Sequence, residues 1–214
     1  MKTSFKNFLR ESLYDNSDDI SASEAAEMIN TRCVEWKKYV GDIKKNLIYR
    51  GMKVHFAPDF VVKYPRSARR PLTTDKNIHA FADKYFDQKF GKKFRSTSVF
   101  AVGDIGMAKF YGDVYVFFPL DRVSFAWSEE VQDFTLSSEK FKNKTVGTFD
   151  VTHSVTEAEI FSFMDGLKYR CNDDSLKEIY FKGREYSEFE VMIHCDEYLA
   201  IRQEALPAVL NLLD

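Results

Sequence analysis

The chain is organised around the stretch Glu185-Tyr186-Ser187-Glu188-Phe189-Glu190-Val191-Met192-Ile193-His194. Gly183 breaks the chain just before it, and the apolar residues after Glu190 have the composition of a β-strand. Residues two apart on a strand point to the same face, about 6–7 Å apart along it. Glu188 and Glu190 are therefore predicted to share one surface, where like charges repel unless a cation, a shared proton or a reaction uses them. A solvated polar edge strand is the alternative interpretation of this Glu-x-Glu pair.

The composition is that of an ordinary globular protein, with 44% hydrophobic and 30% charged residues. A length of 214 residues favours one domain. Twenty Phe and eleven Tyr residues predict an aromatic, β-rich core or a site that stacks flat ligands. The net charge of −2 provides no bulk positive field for a nucleic-acid backbone, although a local basic patch stays open.

The cysteines and histidines of the sequence do not suggest a metal site. The three cysteines are an odd number without metal-ligand spacing, which favours reduced thiols. The four histidines fall in separate predicted elements, so we expect no metal. The apolar runs are too short to cross a bilayer, and the N-terminus has no signal-peptide core, so we expect neither membrane insertion nor secretion.

The first 19 residues, MKTSFKNFLRESLYDNSDD, combine a basic amphipathic start with an Asn/Ser/Asp-rich spacer. This opening resembles the N-terminal leader of internal head proteins from large tailed phages. The resemblance is carried by Met1-Lys2-Thr3, by the aromatic-rich Phe5 to Leu9, and by Leu9-Arg10-Glu11, which fits the Leu/Ile-x-Glu pattern cut by the prohead protease. It implies a leader and spacer over residues 1–19, cleavage after Glu11, packaging in the phage head and release into the host cytoplasm. An ordinary amphipathic N-terminal helix is the alternative.

Residues 20–214 are predicted to form a single α+β domain. A capping box at Ser21 and Glu24 opens one long amphipathic helix, bent at Gly41, with these apolar residues on one face: Ile29, Cys33, Trp36, Val40 and Ile43. Further helices are predicted over residues 78–90 and 156–169, and strands over residues 47–54, 94–102, 114–119, 123–127 and 198–201. Residues 57–77 read as a long loop, basic through Lys63, Arg66, Arg69 and Arg70, that is either solvated or in contact with a phosphate or a partner. Residues 138–143 read as a polar loop.

Three motifs stand in order along this domain: Tyr49-Arg50-Gly51 within a strand, Ser96-Thr97-Ser98 within a strand, and Glu188-x-Glu190 at the start of a late strand. They are spaced roughly 45 and 90 residues apart. Together they resemble the Arg, Ser-Thr-Ser, Glu-x-Glu signature of the mono-ADP-ribosyltransferase superfamily, in a frame that covers residues 47–201. The resemblance implies an α+β fold with a split two-sheet β core and N-terminal helices.

The resemblance also implies a reaction, with NAD+ as substrate and no metal. Cleavage of the bond between nicotinamide and ribose develops positive charge on the sugar, which a fixed carboxylate stabilises. Glu190 takes that catalytic role, and Glu188 orients and helps to deprotonate the acceptor, which for a Glu at this position is arginine. Arg50 binds the phosphates or ribose of the dinucleotide, as a planar guanidinium with several donors can. Ser96 supports the site by bonding to Glu190 or to the ribose.

Several neighbouring residues take binding roles by the same resemblance. Five are assigned to NAD+ binding beside Arg50 and Ser96: Gly51, Thr97, Ser98, Phe100 and Tyr111. Phe100 or Tyr111 is expected to stack on nicotinamide, and Tyr186 to lie in the loop that recognises the acceptor. The structural alternatives are that Arg50 and Glu190 form a buried ion pair, and that Ser96 and Thr97 are ordinary strand residues.

The sequence therefore favours an NAD-dependent mono-ADP-ribosyltransferase that modifies arginine side chains of host proteins as a phage effector. Its expected partners are NAD+ and a host protein, with no membrane. Two alternatives stay open. One is a non-catalytic injected phage protein that binds and blocks a host defence factor, and the other is ADP-ribosylation of nucleic acid, for which the basic loop is the hint.

Overall fold

A computed structural model describes residues 20–53, 58–69, 74–146, 155–183 and 187–213. The predicted leader and spacer, with the cleavage position after Glu11, and the predicted acceptor residue Tyr186 lie outside these residues. The helices are α1 Ala22–Arg32, α2 Val34–Val40, α3 Lys76–Phe90, α4 Phe94–Thr97, α5 Ile105–Lys109, α6 Phe134–Val146, α7 Glu157–Gly166 and α8 Leu206–Leu210, with a π-helix at Leu176–Tyr180. The strands are β1 Tyr49–Met52, β2 Phe60–Lys63, β3 Val99–Ala101, β4 Asp113–Leu120, β5 Ser124–Trp127, β6 Arg170–Cys171, β7 Val191–His194 and β8 Glu197–Arg202.

The described strands form two four-stranded antiparallel sheets. One has the strand order β1-β4-β8-β2 and the other β3-β7-β5-β6. The sheets meet where Tyr49 of β1 bridges Val102, just after β3, through two backbone hydrogen bonds of 2.7 and 2.9 Å. The predicted α+β class with a two-sheet β core is thus confirmed, and this junction places the motif of β1 beside β3.

Aromatic side chains fill much of the core between these elements. Strand β4 is buried from Val114 to Leu120, as expected for a central strand covered on both faces. The predicted apolar helix face is also buried, from Ile29 to Ile43. The helix itself is two helices rather than one, with the boundary at Cys33, whose thiol donates to the Pro119 carbonyl at 3.2 Å. Gly41, at a φ of 74°, ends α2 instead of bending a longer helix.

Three loop and strand predictions are wrong. Residues 57–77 contain β2, which pairs with β8. The strand is possible because Pro58 and Pro65 flank it and no proline falls inside it. Residues 94–102 are not one strand, since the Asp83 carboxylate accepts the backbone N–H groups of Arg95 and Ser96 and holds them in the helical turn α4. Residues 138–143 lie inside α6, which Asp133 caps by accepting the N–H of Leu136 at 3.1 Å.

Candidate functional site

A cleft of about 470 Å³ opens where the two sheets meet. Its lining includes six residues that the sequence assigned to the site: Arg50, Gly51, Phe100, Tyr111, Glu188 and Glu190. They come from β1, β3, the turn after α5 and the segment before β7, so residues far apart in the sequence converge. A volume of this size falls within the range of small-molecule sites, about 300–1,000 Å³.

The segment that carries both glutamates is tied to the turn after β3. Asp104 donates its backbone N–H to the Ser187 carbonyl at 2.8 Å. The buried Tyr180 hydroxyl donates to the Phe189 carbonyl at 2.9 Å and accepts the backbone N–H of Gly103 at 2.6 Å. These bonds fix the backbone on either side of Glu188, so the two carboxylates approach the cleft from an anchored segment.

Gln132 forms hydrogen bonds with both Glu188 and Glu190. Its backbone carbonyl accepts the N–H of Glu190 at 3.1 Å, and its side-chain Nε2 donates to Oε2 of Glu188 at 2.6 Å. Both glutamates precede β7, which begins at Val191, and both line the cleft, so the predicted common surface exists although neither residue lies on the strand itself.

Glu190 forms a buried ion pair with Arg95. Nη1 of Arg95 lies 2.7 Å from Oε1 of Glu190, and the two side chains are 5% and 19% exposed. Burial raises the pKa of Glu190, and the Arg95 guanidinium opposes that rise by favouring the charged carboxylate. Glu190 is therefore not the ion-pair mate of Arg50, the partner that the structural alternative gave it.

Arg50 turns its guanidinium toward the end of β3. Nη1 donates to the Phe100 carbonyl at 2.8 Å, and within the described residues its buried Nε has no hydrogen-bond partner. Burial lowers the pKa of Arg50. A buried guanidinium with unused donors at the wall of a cleft is suited to bind an anion or a ribose hydroxyl.

The Ser-Thr-Ser motif lies behind the cleft rather than on its wall. The Ser96 hydroxyl donates to the Asp83 carboxylate and lies 3.4 Å from Nε2 of His79, which does line the cleft. Thr97 contacts His194 at 3.1 Å, and Ser98 is buried. In this structure Ser96 thus bonds to Asp83 and not to Glu190, because α4 directs its side chain toward α3.

Two arginines that the sequence did not place in the site flank the Phe100 ring. The guanidinium carbon of Arg69 lies 3.7 Å from the ring centroid, and that of Arg95 lies 4.6 Å from it. Burial, with the neighbouring charges of Arg95 and Arg50, lowers the pKa of Arg69 to about 10. Sequence signals for them were weak: Arg69 belonged to the basic loop, and Arg95 directly precedes the Ser-Thr-Ser motif.

The two candidate stacking residues differ in their surroundings. The guanidinium groups of Arg69 and Arg95 lie over the Phe100 ring, whereas Tyr111 lines the cleft and is 54% exposed. Burial of its polar end raises the pKa of Tyr111, and the Asp133 carboxylate raises it further. Tyr111 therefore offers the more accessible aromatic surface to a flat ligand.

Comparisons with known proteins give little guidance on this cleft. No protein-family model and no solved structure matches the chain. An uncharacterized protein of Saccharomyces cerevisiae is 32% identical to it over 69 residues, which are 32% of this chain. That match spans 45% of the length of the yeast protein, less than half of it.

Two further features of the described residues concern membranes and metals. None of the helices described is both long enough and apolar enough to span a bilayer. Across residues 20–53, 58–69, 74–146, 155–183 and 187–213, no three His, Cys, Asp or Glu side chains are grouped in a way that could hold a metal ion.

Proposed function

We propose that this protein is an NAD-dependent mono-ADP-ribosyltransferase. The observation that carries the proposal is the convergence of Glu188, Glu190 and Arg50 on one cleft beside an accessible aromatic ring. The order of the motifs along the chain supports a transferase-like fold. Arg50 lies on β1, the Ser-Thr-Ser motif directly precedes β3, and the Glu-x-Glu motif directly precedes β7. Strands β3 and β7 pair in one sheet.

Each charged group has a chemical role in this proposal. Loss of nicotinamide leaves positive charge on the ribose, and the Glu190 carboxylate stabilises it and holds the 2′-hydroxyl. Arg50 and Arg69 supply guanidinium groups for the two phosphates, which together carry negative charge. Tyr111 stacks on the nicotinamide ring, and the enclosed position of Glu190 strengthens its interaction with the developing charge.

Glu188 is proposed to receive the acceptor. Its carboxylate is held by Gln132, so it can orient an incoming guanidinium and take up a proton from it. This supports arginine side chains of proteins as the acceptor class. The leader resemblance supports an effector that is packaged in a phage head and acts on host proteins in the host cytoplasm.

The test is incubation of the purified protein with adenine-labelled NAD+ and a bacterial lysate, with Glu190→Gln and Glu188→Gln beside the wild type. We expect label on protein bands with the wild type and none with Glu190→Gln. Glu188→Gln should lose transfer to arginine while still releasing nicotinamide to water. Circular dichroism at equal concentration controls for folding of both variants.

Three results would contradict parts of the proposal. Label on nucleic acid instead of protein would refute protein arginine as the acceptor but would still support transfer of ADP-ribose from NAD+. Equal loss of transfer and of nicotinamide release in Glu188→Gln would remove the separate roles of the two glutamates. No label and no nicotinamide release with the wild type would refute the transferase and favour a non-catalytic binder of a host factor, to be sought by pull-down.

A further inference from the structure

Arg95 occupies the place beside Glu190 that the motif resemblance gave to Ser96. The two are neighbours in the helical turn α4, where successive side chains point in different directions, about 100° apart. The Ser96 hydroxyl points to Asp83, and the Arg95 guanidinium points to Glu190. The donor to Glu190 is therefore the charged guanidinium of Arg95 and not the neutral hydroxyl of Ser96.

We propose that Arg95 is the positioning residue of Glu190, an inference that rests on the proposed transferase function. Its Nη1 binds Oε1 of the carboxylate and leaves Oε2 outside the ion pair, for the ribose hydroxyl. Because a charge-assisted hydrogen bond is directional and short, it holds the carboxylate in one orientation before the substrate arrives.

Arg95 is itself held rigidly enough to serve this purpose. Its backbone N–H is fixed to Asp83 at 2.8 Å, and its guanidinium carbon lies 4.6 Å from the Phe100 ring centroid and 4.3 Å from that of Phe134. Nη1 also lies 3.8 Å from the sulfur of Met192 on β7. With its side chain only 5% exposed, Arg95 has little freedom to leave Glu190.

Among the charges around Glu190, Arg95 is the hydrogen-bonded group that favours the charged form of the carboxyl. The titratable and charged groups that act on Glu190 or line the cleft with it come from several elements: Arg50, Arg69, His79, Arg95, Tyr111, Asp133, Tyr169 and Glu188. Burial and Asp133 raise the pKa of Glu190, while Arg95 and Arg69 lower it. Of the two arginines, Arg95 alone is shown hydrogen-bonded to the carboxylate, so its loss should raise the pKa of Glu190 further.

The experiment measures nicotinamide release from NAD+ between pH 5 and 9 for the wild type, Arg95→Gln, Arg95→Lys and Arg69→Gln. We expect Arg95→Gln to lower kcat about 100-fold at pH 7, the order expected when a catalytic group is misplaced by about 1 Å. KM for NAD+ should change much less. The acid limb of the pH profile should move upward by about 1–3 pH units, because Glu190 then binds its proton more tightly.

The other two variants separate charge from geometry. Arg95→Lys keeps the charge without the planar guanidinium that lies over the Phe100 and Phe134 rings, so we expect the acid limb near its wild-type position and kcat reduced only about tenfold. Arg69→Gln removes a nearby positive charge without a hydrogen bond to Glu190, and should move the limb less than Arg95→Gln does. Should Arg95→Gln fail to fold, kcat in Arg95→Lys decides, since a wild-type value there would show that the planar guanidinium does not position Glu190.

The outcomes distinguish this inference from the function on which it rests. A wild type that releases no nicotinamide overturns the transferase and the role of Arg95 with it. An active wild type with an unmoved acid limb in a folded Arg95→Gln keeps the transferase and overturns the positioning role, leaving Arg95 as a structural ion-pair partner. An upward movement of the acid limb in Arg95→Gln, with the limb near its wild-type position in Arg95→Lys, supports both.

Discussion

Gly51 is the position where one added methyl group should damage both stability and the cleft. A Cβ built there would lie 2.1 Å from the carbonyl oxygen of Ala108, 2.8 Å from Cβ of Tyr111 and 2.9 Å from the backbone nitrogen of Gly112. Two of these atoms belong to the backbone, and the third is fixed to it, so no side chain can rotate away. Strand β1 and the end of α5 would have to separate by about 1 Å to admit Gly51→Ala.

The cost follows from that displacement. Overpacking of a well-packed site usually costs about 1–3 kcal/mol, and we expect the upper end because backbone must move. For a protein of this size about 3 kcal/mol corresponds to a fall in the melting temperature of roughly 6–12 °C. Since the displaced turn carries Tyr111, nicotinamide release should fall as well. Urea unfolding and nicotinamide release measure the two effects.

Gly166→Ala is the matched control. Gly166 is the last residue of α7, and a Cβ added there meets no atom within 4 Å. Where the backbone suits it, this substitution stabilises by about 0.4–1 kcal/mol through the unfolded chain. If Gly51→Ala and Gly166→Ala unfolded at the same urea concentration, the close approach of β1 to α5 would be refuted.

Two further predictions use groups near the core. Tyr180→Phe removes the hydroxyl that joins Gly103 to Phe189, and we expect about 1–3 kcal/mol lower stability by urea unfolding and slower nicotinamide release. Unchanged turnover would mean that this clamp does not position the glutamates. Burial raises the pKa of Cys33 and Cys195 to about 12 and that of Cys171 to about 11. A thiol reagent at pH 8 should therefore react slowly with the native protein and quickly in urea; rapid native reaction would contradict this.

The sequence predicted those parts of the fold that depend on local pattern. The apolar face from Ile29 to Ile43 and the strand-forming run of β4 are visible as periodicity and composition, and both are buried. The turn α4 was missed because its cause is not local. Asp83, twelve residues before Arg95, supplies the acceptor that turns a predicted strand into a helical turn. A pattern read along the chain contains no sign of that bond.

The candidate site divides in the same way. The motif order placed Arg50, Glu188 and Glu190 in one set, and the structure brings them to one cleft. Gln132 and Arg95 were missed because each acts through a distant glutamate. Gln132 bonds to Glu188, which is 56 positions away, and Arg95 bonds to Glu190, which is 95 positions away. Ser96 was expected to bond to Glu190 or to the ribose, but it bonds to Asp83, and its neighbour Arg95 bonds to Glu190. Adjacent residues in a helical turn point in different directions.

The charges at Arg50 and Arg69 favour an anionic ligand in that part of the cleft. Glu190 has its own partner in Arg95, so that pair is compensated before any ligand binds. Arg50 and Arg69 differ, because burial lowers the pKa of both guanidinium groups and each is near further positive charge. In the proposed reaction, a ligand that brings negative charge to these two arginines would offset the cost of their burial and their mutual repulsion, and Glu190 would face the part of the ligand where positive charge develops. A dinucleotide with two phosphates and a reactive ribose has that distribution of charge.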